Sequence, residues 1–339
     1  MRKIAVGLNG FGRIGRAFTR IALNNPDIEI RAINTAHSNT EILAHLLKYD
    51  SIYRTFDKDV SAKGDKIIVG SREIVCYNHK NPEEIPWDHH NIDVVIDCTG
   101  AFKTRDDLSK HLRATVQKVI VTAPVSDETI PHIVLGSNSD GFDFKAKNAD
   151  IISNASCTTN CASIMTKVLD DNFKIKSAFL TTVHAYTSSQ ELLDNASKNE
   201  TRSRGAPLSI IPTTTGAADA VCKTTACEAG SLGAIAFRVP VPVGSISDMT
   251  CLLEKSTTVE EINEVFRKES EGKLKGILGY EKTPLVSSDY IGSPFSCTFD
   301  PNYTQVLNGN FVKIFGWYDN EWGYSNRLVD LIEKLSKYI

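Results

Sequence analysis

The chain has 339 residues, enough for about two domains with separate cores, and its 41% hydrophobic and 23% charged content is that of an ordinary globular protein. Its net charge is −3, from 38 basic and 41 acidic residues without a long block of one sign, so nothing marks it as a nucleic-acid or anionic-membrane binder. No apolar run approaches the ~18 residues of a spanning helix, and glycines and Asn9 interrupt the N-terminus before a signal-peptide core can form; with eight scattered cysteines read as reduced thiols, this points to the cytoplasm.

In chain order, "KIAVGLN" (Lys3 to Asn9) predicts a strand, and "GFGRIG" follows with Gly10, Gly12 and Gly15 in G-x-G-x-x-G spacing. Phe18, Ile21 and Ala22 then recur at helical spacing, and "IEIRAIN" (Ile28 to Asn34) predicts a second strand. A glycine triplet alone is a weak signal, since it also marks ordinary turns. Between a strand and a helix, with a second strand ending soon after, it reads as a dinucleotide-binding turn. Glycines permit the tight bend and let pyrophosphate reach backbone N–H groups at a helix start. Buried strands are predicted at 92–100, 118–124 and 132–137. Strands interleaved with helical stretches predict a Rossmann-type doubly wound parallel sheet. At the end of the second strand, where a carboxylate commonly holds the ribose of NAD, this chain has Thr35. A hydroxyl tolerates a 2′-phosphate and Ser38 offers a further donor, which favours NADP while leaving NAD open.

In the second half, "SNASCTTNCASI" sets Cys157 at or just before a helix whose apolar face carries Ile164, Met165, Val168 and Leu169. The helix dipole and free N–H groups there favour a thiolate. Cys161, one turn on, fits a packing thiol. A zinc site lacks the remaining ligands, and a disulfide within one helical turn is disfavoured. "SAFLTTVHAYT" predicts a strand ending at His184, giving a candidate Cys–His couple. A thiolate beside a nicotinamide points to covalent aldehyde oxidation. Residues 186–216 have no sustained periodicity and read as a long functional loop, with Thr187, Arg202, Arg204 and the Thr215-Gly216 turn as anion-holding groups. Arg238 sits in an apolar strand context and needs an internal carboxylate or an anionic substrate as partner. Leu328, Leu331, Ile332, Leu335 and Ile339 form one stripe of a C-terminal amphipathic helix.

The stretches "NGFGRIGR", "HLLKYDS", "SNASCTTNC", "HAYT", "IIPTTTGAA", "FRVPVP" and "WYDNEWGYS" together resemble the phosphorylating glyceraldehyde-3-phosphate dehydrogenase family over essentially the whole chain. The resemblance implies a dinucleotide-binding domain over residues 1–156, completed by 320–339. It implies an α+β catalytic domain over 157–319 with a mainly antiparallel sheet. It implies oxidation of glyceraldehyde 3-phosphate with inorganic phosphate to 1,3-bisphosphoglycerate, using NAD or NADP, through a thiohemiacetal and a thioester on Cys157. His184 would activate the thiol and donate to the oxyanion. Thr187 and Arg238 match the substrate-phosphate site; Ser156, Thr158, Arg202, Thr215 and Gly216 match the attacking-phosphate site. Gly10, Phe11, Gly12, Arg13, Ile14, Asn34, Thr35, Lys80, Thr99, Gly100 and Thr122 match cofactor positions, with Asn320 on the nicotinamide carboxamide and Tyr324 beside its ring. No metal is implied. The family is a homotetramer in which 186–216 forms an S-shaped loop near a neighbour's cofactor.

Several positions depart from the family pattern. Thr35 replaces the ribose-binding aspartate, Lys80 a common arginine, and Ser189 a frequent aspartate. "DNASKN" lacks a Leu-Pro pair of many NAD-specific members, and "TRSRG" makes Arg202 a sounder match than Arg204. Thr35 and the small polar loop residues point to NADP or dual use. The rivals are erythrose-4-phosphate dehydrogenase, against which "HAYT" argues, and a nucleotide-binding or surface-adhesion module without catalysis, against which the intact Cys157, His184, Arg238 and Asn320 argue.

Overall fold

A computed structural model describes residues 2–36, 39–197, 199–228 and 230–339. Its backbone contacts divide the chain into two units: Met1–Ile133, Gly141–Ala155 and Ser325–Ile339 form one, and Val134–Asp140 with Ser156–Tyr324 form the other. The expected Ser38 donor lies outside the described residues.

The first unit is built on an 8-stranded sheet. Across it lie the strands Ile151–Ser153, Lys118–Val121, Val94–Asp97, Ile4–Asn9, Ile28–Asn34 and Arg72–Tyr77, every neighbouring pair parallel. Runs such as "VVID" and "KVIV" are buried at every position, as strands covered on both faces must be. Two further strands, Lys66–Val69 and Val60–Lys63, extend the edge in antiparallel sense, so the expected Rossmann-type parallel sheet is present and carries an antiparallel edge. The run 132–137 is not a strand: only His132 forms an isolated bridge, to Ser153. Ile151–Ser153 takes the edge position instead, and the apolar character of 132–137 reflects burial of Ile133, Val134 and Leu135 without pairing. Trp87, fully buried, packs with Ile85, Ile92, Val95 and Leu108 on one face of this unit.

The three glycines of the first turn do separate jobs. Gly10 has φ +98°, and a Cβ there would come within 2.8 Å of the Cys98 carbonyl carbon. A Cβ on Gly15 would meet the Gly10 oxygen at 2.6 Å, so the helix Arg13–Ala22 packs directly on the turn that precedes it. A Cβ on Gly12 would meet nothing within 4 Å. Open space before the helix's first N–H groups is what a diphosphate needs.

The second unit is organised by the strands Ile211–Thr213, Leu232–Val239, Ile175–Ala185, Ser245–Leu253, Phe311–Tyr318, Cys297–Phe299 and Leu278–Tyr280, in that order across the sheet, with Gln305–Leu307 on Phe311–Tyr318. Most pairs are antiparallel, but Ile175–Ala185 runs parallel to Leu232–Val239 and Leu278–Tyr280 parallel to Cys297–Phe299. The long helix Cys157–Phe173 lies on this sheet through Cys161, Met165 and Leu169, packed with Met249, Phe266, Phe299 and Tyr318. Contact is tight: a Cβ on Gly316 would come within 2.6 Å of Cys297 Sγ and 2.7 Å of Met165 Sδ. The stretch 186–216 is not wholly irregular, since Ile211–Thr213 pairs with Ala236–Arg238 and fixes the end of the loop. The C-terminal helix is Trp322–Leu335, with Leu328, Leu331, Ile332 and Leu335 fully buried and Ile339 beyond its end. No described helix is long and apolar enough to cross a membrane.

Candidate active site

The helix carrying the cysteine begins at Cys157 with Ser156 as N-cap, whose Oγ accepts from the Thr159 N–H at 3.0 Å. The residue before the cap, Ala155, has φ +54°, a left-handed conformation that turns the chain sharply into the helix. Cys157 is thus held at the start of a rigid element rather than on a flexible loop. Its backbone N–H lies in the first turn, where helix N–H groups have no intrahelical acceptor.

His184 comes from the neighbouring strand. Ile175–Ala185 buries every second side chain toward its end, and His184, 4% exposed, is on the buried face. Its Nε2 lies 3.4 Å from Cys157 Sγ. Parallel register sets His184 opposite Arg238, and paired residues of adjacent strands project to the same face. Arg238 Nη1 accordingly reaches His184 Nδ1 at 2.7 Å and donates to the Ala185 carbonyl at 2.9 Å. The partner expected for Arg238 is therefore an imidazole and a carbonyl in this state, not a carboxylate. His184 Nδ1 lies 2.7 Å from both Arg238 Nη1 and the Ala185 carbonyl; because a guanidinium N–H can only donate, the Arg238 contact favours a lone pair on Nδ1 and the neutral ring's proton on Nε2, facing the sulfur.

The electrostatics differ from the thiolate expected of a helix start. Cys157 keeps part of its surface open, yet the density of protein around its sulfur pushes the thiol up to about 11. The Arg238 cation and the N–H and hydroxyl of Thr158 pull in the opposite direction without overcoming burial. Burial, aided by the same cation, drives His184 down to about 3. The helix dipole acts in the direction expected from sequence, but desolvation is the larger effect. The resting couple is a neutral thiol beside a neutral imidazole.

Sequence reasoning missed Tyr318. Its ring packs edge-on to His184 at 5.9 Å, and its hydroxyl bridges Thr158 Oγ1 at 2.9 Å and Thr182 Oγ1 at 2.8 Å. It therefore ties the cysteine helix to the histidine strand. The signal was present, since Tyr318 lies inside the quoted "WYDNEWGYS", but its buried tip could be read only with its partners known.

The other anion-holding candidates are distributed around the second unit's own framework. Thr187 Oγ1 meets Ser189 Oγ at 2.9 Å, Arg202 Nε donates to Thr213 Oγ1 at 2.9 Å, and Thr215 Oγ1 accepts from the Ala217 N–H at 3.2 Å. Gly216 caps the helix Ala217–Thr224 without a side-chain bond. Arg204 is taken by Asp194 at 2.8 Å on the surface. Asn320 is 5% exposed, its Oδ1 accepting from the Gly244 N–H at 3.1 Å and Ser245 Oγ at 3.2 Å. Tyr324, in the first turn of Trp322–Leu335, is 4% exposed.

In the first unit the cofactor candidates share one location: they follow the carboxyl ends of parallel strands. Gly10, Phe11 and Gly12 follow Ile4–Asn9 and lead into Arg13 and Ile14, Thr35 follows Ile28–Asn34, Lys80 lies beyond Arg72–Tyr77, Thr99 and Gly100 beyond Val94–Asp97, and Thr122 directly after Lys118–Val121. Open α/β sheets bind ligands along that edge. The edge is pre-set by a buried chain in which Asn34 Nδ2 donates to Asn9 Oδ1 and Asn9 Nδ2 to Asp97 Oδ2, both at 2.8 Å. Asn34 also donates to the His79 carbonyl, so both its N–H groups serve the fold. Thr122 Oγ1 donates to the Asp97 carbonyl at 3.0 Å, and Arg13 pairs with Asp50. Thr35 Oγ1 is buried and has no hydrogen-bond partner among the described residues. That orphan hydroxyl and the empty space at Gly12 fit a dinucleotide. Among the described residues no group of three or more His, Cys, Asp or Glu could hold a metal.

A parallel α/β unit with a glycine-cradled strand edge, joined in one chain to a unit with a helix-start cysteine against a buried histidine, defines a nicotinamide-dependent oxidoreductase with a thiol centre. Residues 4–105 match the glyceraldehyde 3-phosphate dehydrogenase NAD binding domain, and residues 156–320 match the C-terminal domain of the same enzyme. Glyceraldehyde-3-phosphate dehydrogenase 2 of Streptomyces avermitilis is 49% identical over 97% of both chains, and the enzyme of Geobacillus stearothermophilus 48% over 97% of both. Glyceraldehyde-3-phosphate dehydrogenase 1 of Bacillus subtilis is 46% identical over 98% of both. The chain belongs to the glyceraldehyde-3-phosphate dehydrogenase family.

Proposed function

We propose that this oxidoreductase converts glyceraldehyde 3-phosphate and inorganic phosphate to 1,3-bisphosphoglycerate with Cys157 as nucleophile and His184 as its proton partner. The observation that carries the reading is the 3.4 Å approach of Cys157 Sγ to His184 Nε2 at a helix N-terminus, with the Arg238 cation on the same face. Arg238 and Thr187 take the substrate phosphate. In doing so Arg238 turns from His184 to the phosphate, and the lone pair at Nδ1 is no longer pinned by a cation. The ring can then carry its proton on Nδ1, toward the Ala185 carbonyl 2.7 Å away, and leave Nε2 free to accept the thiol proton.

Cys157 Sγ attacks the aldehyde carbon, its proton passes to His184 Nε2, and the developing oxyanion meets the Cys157 backbone N–H and the imidazolium. Returning that proton to oxygen gives the thiohemiacetal. Gly10, Phe11, Gly12, Arg13, Ile14, Asn34, Thr35, Lys80, Thr99, Gly100 and Thr122 would hold the dinucleotide's phosphate and adenosine portions, and Asn320 with Tyr324 its nicotinamide. When bound, that group supplies the hydride acceptor for oxidation of the thiohemiacetal carbon. The thioester is then opened by phosphate held by Arg202, Thr215, Gly216 and the helix start at Ser156 and Thr158, and the C–S bond breaks with return of the thiol. Because the Oγ atoms of Ser156 and Thr158 already serve the cap and Tyr318, backbone N–H groups of the first turn are the more available anion donors there.

The orphan hydroxyl of Thr35, in place of a carboxylate, supports use of NADP or of both cofactors. Residues 1–156 with 320–339 as cofactor domain, 157–319 as catalytic domain, a cytoplasmic setting and a homotetramer complete the reading, all by family likeness. The test is the rate of nicotinamide reduction with glyceraldehyde 3-phosphate and phosphate, NAD and NADP in parallel. A kcat/KM at least equal with NADP is expected. A strong NAD preference would overturn the reading of Thr35, and no rate with either would overturn the substrate assignment.

A further inference from the structure

The mechanism uses one thiol, yet the second unit carries another pair in contact. Cys222 sits near the end of the helix Ala217–Thr224, and Cys227 follows in the turn that leaves it. Their sulfurs are 3.4 Å apart, and both residues are partly open to solvent. Contact alone is not rare, but the other close thiols, Cys161 and Cys297, are fully buried under the cysteine helix where no reagent reaches. Among the described residues Cys222 and Cys227 combine mutual contact with access. The turn holds them in place: Thr225 Oγ1 donates to the Val221 carbonyl at 2.9 Å, Cys227 N–H to Thr225 Oγ1 at 3.3 Å, and Ser231 Oγ to the Glu228 carbonyl at 2.7 Å.

We propose that Cys222 and Cys227 form a reversible dithiol–disulfide site, a modification site separate from the Cys157 centre. The two sulfurs are not equivalent. Cys222 Sγ donates its S–H to Cys227 Sγ at 3.4 Å, a hydrogen bond that strengthens when Cys227 is the thiolate, while the Glu228 carbonyl lies near both sulfurs, 3.6 Å from Cys222 and 3.8 Å from Cys227. Cys227 is therefore the attacking sulfur and Cys222 the resolving one. The oxidant is a small-molecule disulfide. Cys227 loses its proton to solvent and attacks one sulfur of that disulfide; the S–S bond breaks and one small thiolate leaves with the electron pair. Cys222 then loses its proton and attacks Cys227 Sγ of the mixed disulfide, expelling the second small thiolate. The protein is oxidised by two electrons and the small disulfide is reduced to two thiols. Closing the bond needs the sulfurs to approach from 3.4 Å to about 2.05 Å, a movement within reach of side-chain rotation in a turn.

The test uses the intact enzyme equilibrated in mixtures of reduced and oxidised glutathione, acid-quenched, alkylated with iodoacetamide and mapped by mass spectrometry. The expected result is a peptide containing Cys222 and Cys227 that becomes lighter by two hydrogens and escapes alkylation as the buffer becomes oxidising. Its alkylated form should fall about tenfold and recover fully on returning to excess thiol. In C222S, Cys227 should stop at the glutathione mixed disulfide, and in C227S, Cys222 should stay largely alkylatable. Full alkylation of both cysteines in oxidising wild-type enzyme would overturn the proposal, whether or not the serine variants fold. So would mixed disulfides on wild-type Cys227 as abundant as in C222S.

Discussion

His184 and Arg238 show how one pair of residues sets the chemistry of a third. Arg238 lowers the thiol of Cys157 but also occupies the ring nitrogen that must be released for His184 to accept a proton. The free site is therefore held with little thiolate, and the substrate's own phosphate lifts the restraint. Burial of a neutral histidine also leaves a thermodynamic mark. Its pKa in the fold, about 3, lies below the unfolded value of 6.5, so between those values the unfolded chain binds the extra proton and the folded chain does not. Stability from this site is retained above pH 6.5 and lost as pH falls through that window. We predict that His184→Gln flattens the acid-side decline in Tm between about pH 6 and pH 4 while lowering kcat by about 10²-fold or more. Thermal melts across that range, with kinetics at neutral pH, check both; an unchanged acid slope would mean that His184 takes up its proton in the fold as readily as in the unfolded chain.

At the scale of elements, the site exists because three of them are locked in register. Parallel pairing of Ile175–Ala185 with Leu232–Val239 brings His184 to Arg238, and the helix Cys157–Phe173 is fastened to that sheet by the Tyr318 hydroxyl between Thr158 and Thr182. Tyr318→Phe removes both hydrogen bonds and keeps the ring against His184. We expect a loss of about 1–3 kcal/mol of stability, since two buried threonine hydroxyls lose a partner. Because the helix start then loosens against His184, kcat should fall more than the substrate KM rises. Denaturant unfolding and steady-state kinetics on the same variant separate these effects; full activity with reduced stability would make Tyr318 a packing residue only.

For the whole molecule, what could be read from sequence was what is local in sequence. The strand–glycine turn–helix at 4–22, the cysteine helix beginning at Cys157 and the strand ending at His184 each rest on spacing within a few residues, and the structure has all three. The run 132–137 misled because buried apolar residues look the same in a strand and in an irregular segment, and periodicity does not distinguish them. The antiparallel edge at 60–69 and the short strand Ile211–Thr213 went unread for the opposite reason, since half-exposed or three-residue strands carry little apolar pattern. The protonation state of Cys157 was beyond reach for a physical reason: the helix start is a sequence feature, but desolvation depends on everything folded around the sulfur. The partner of Arg238 was likewise a matter of strand register, which pairs residues 54 apart in sequence.

All of this turns on Cys157 as the atom that carries the substrate. The direct measurement is to mix the enzyme with glyceraldehyde 3-phosphate and nicotinamide cofactor in the absence of inorganic phosphate, quench in acid, and locate the acyl adduct by peptide mass. Close to one phosphoglyceroyl group per chain is expected on the peptide containing Cys157, discharged on adding phosphate before the quench, and none in Cys157→Ser, whose cofactor affinity stays near that of the parent. An adduct on Cys222, Cys227 or any other residue, or steady turnover by Cys157→Ser, would contradict that role for Cys157.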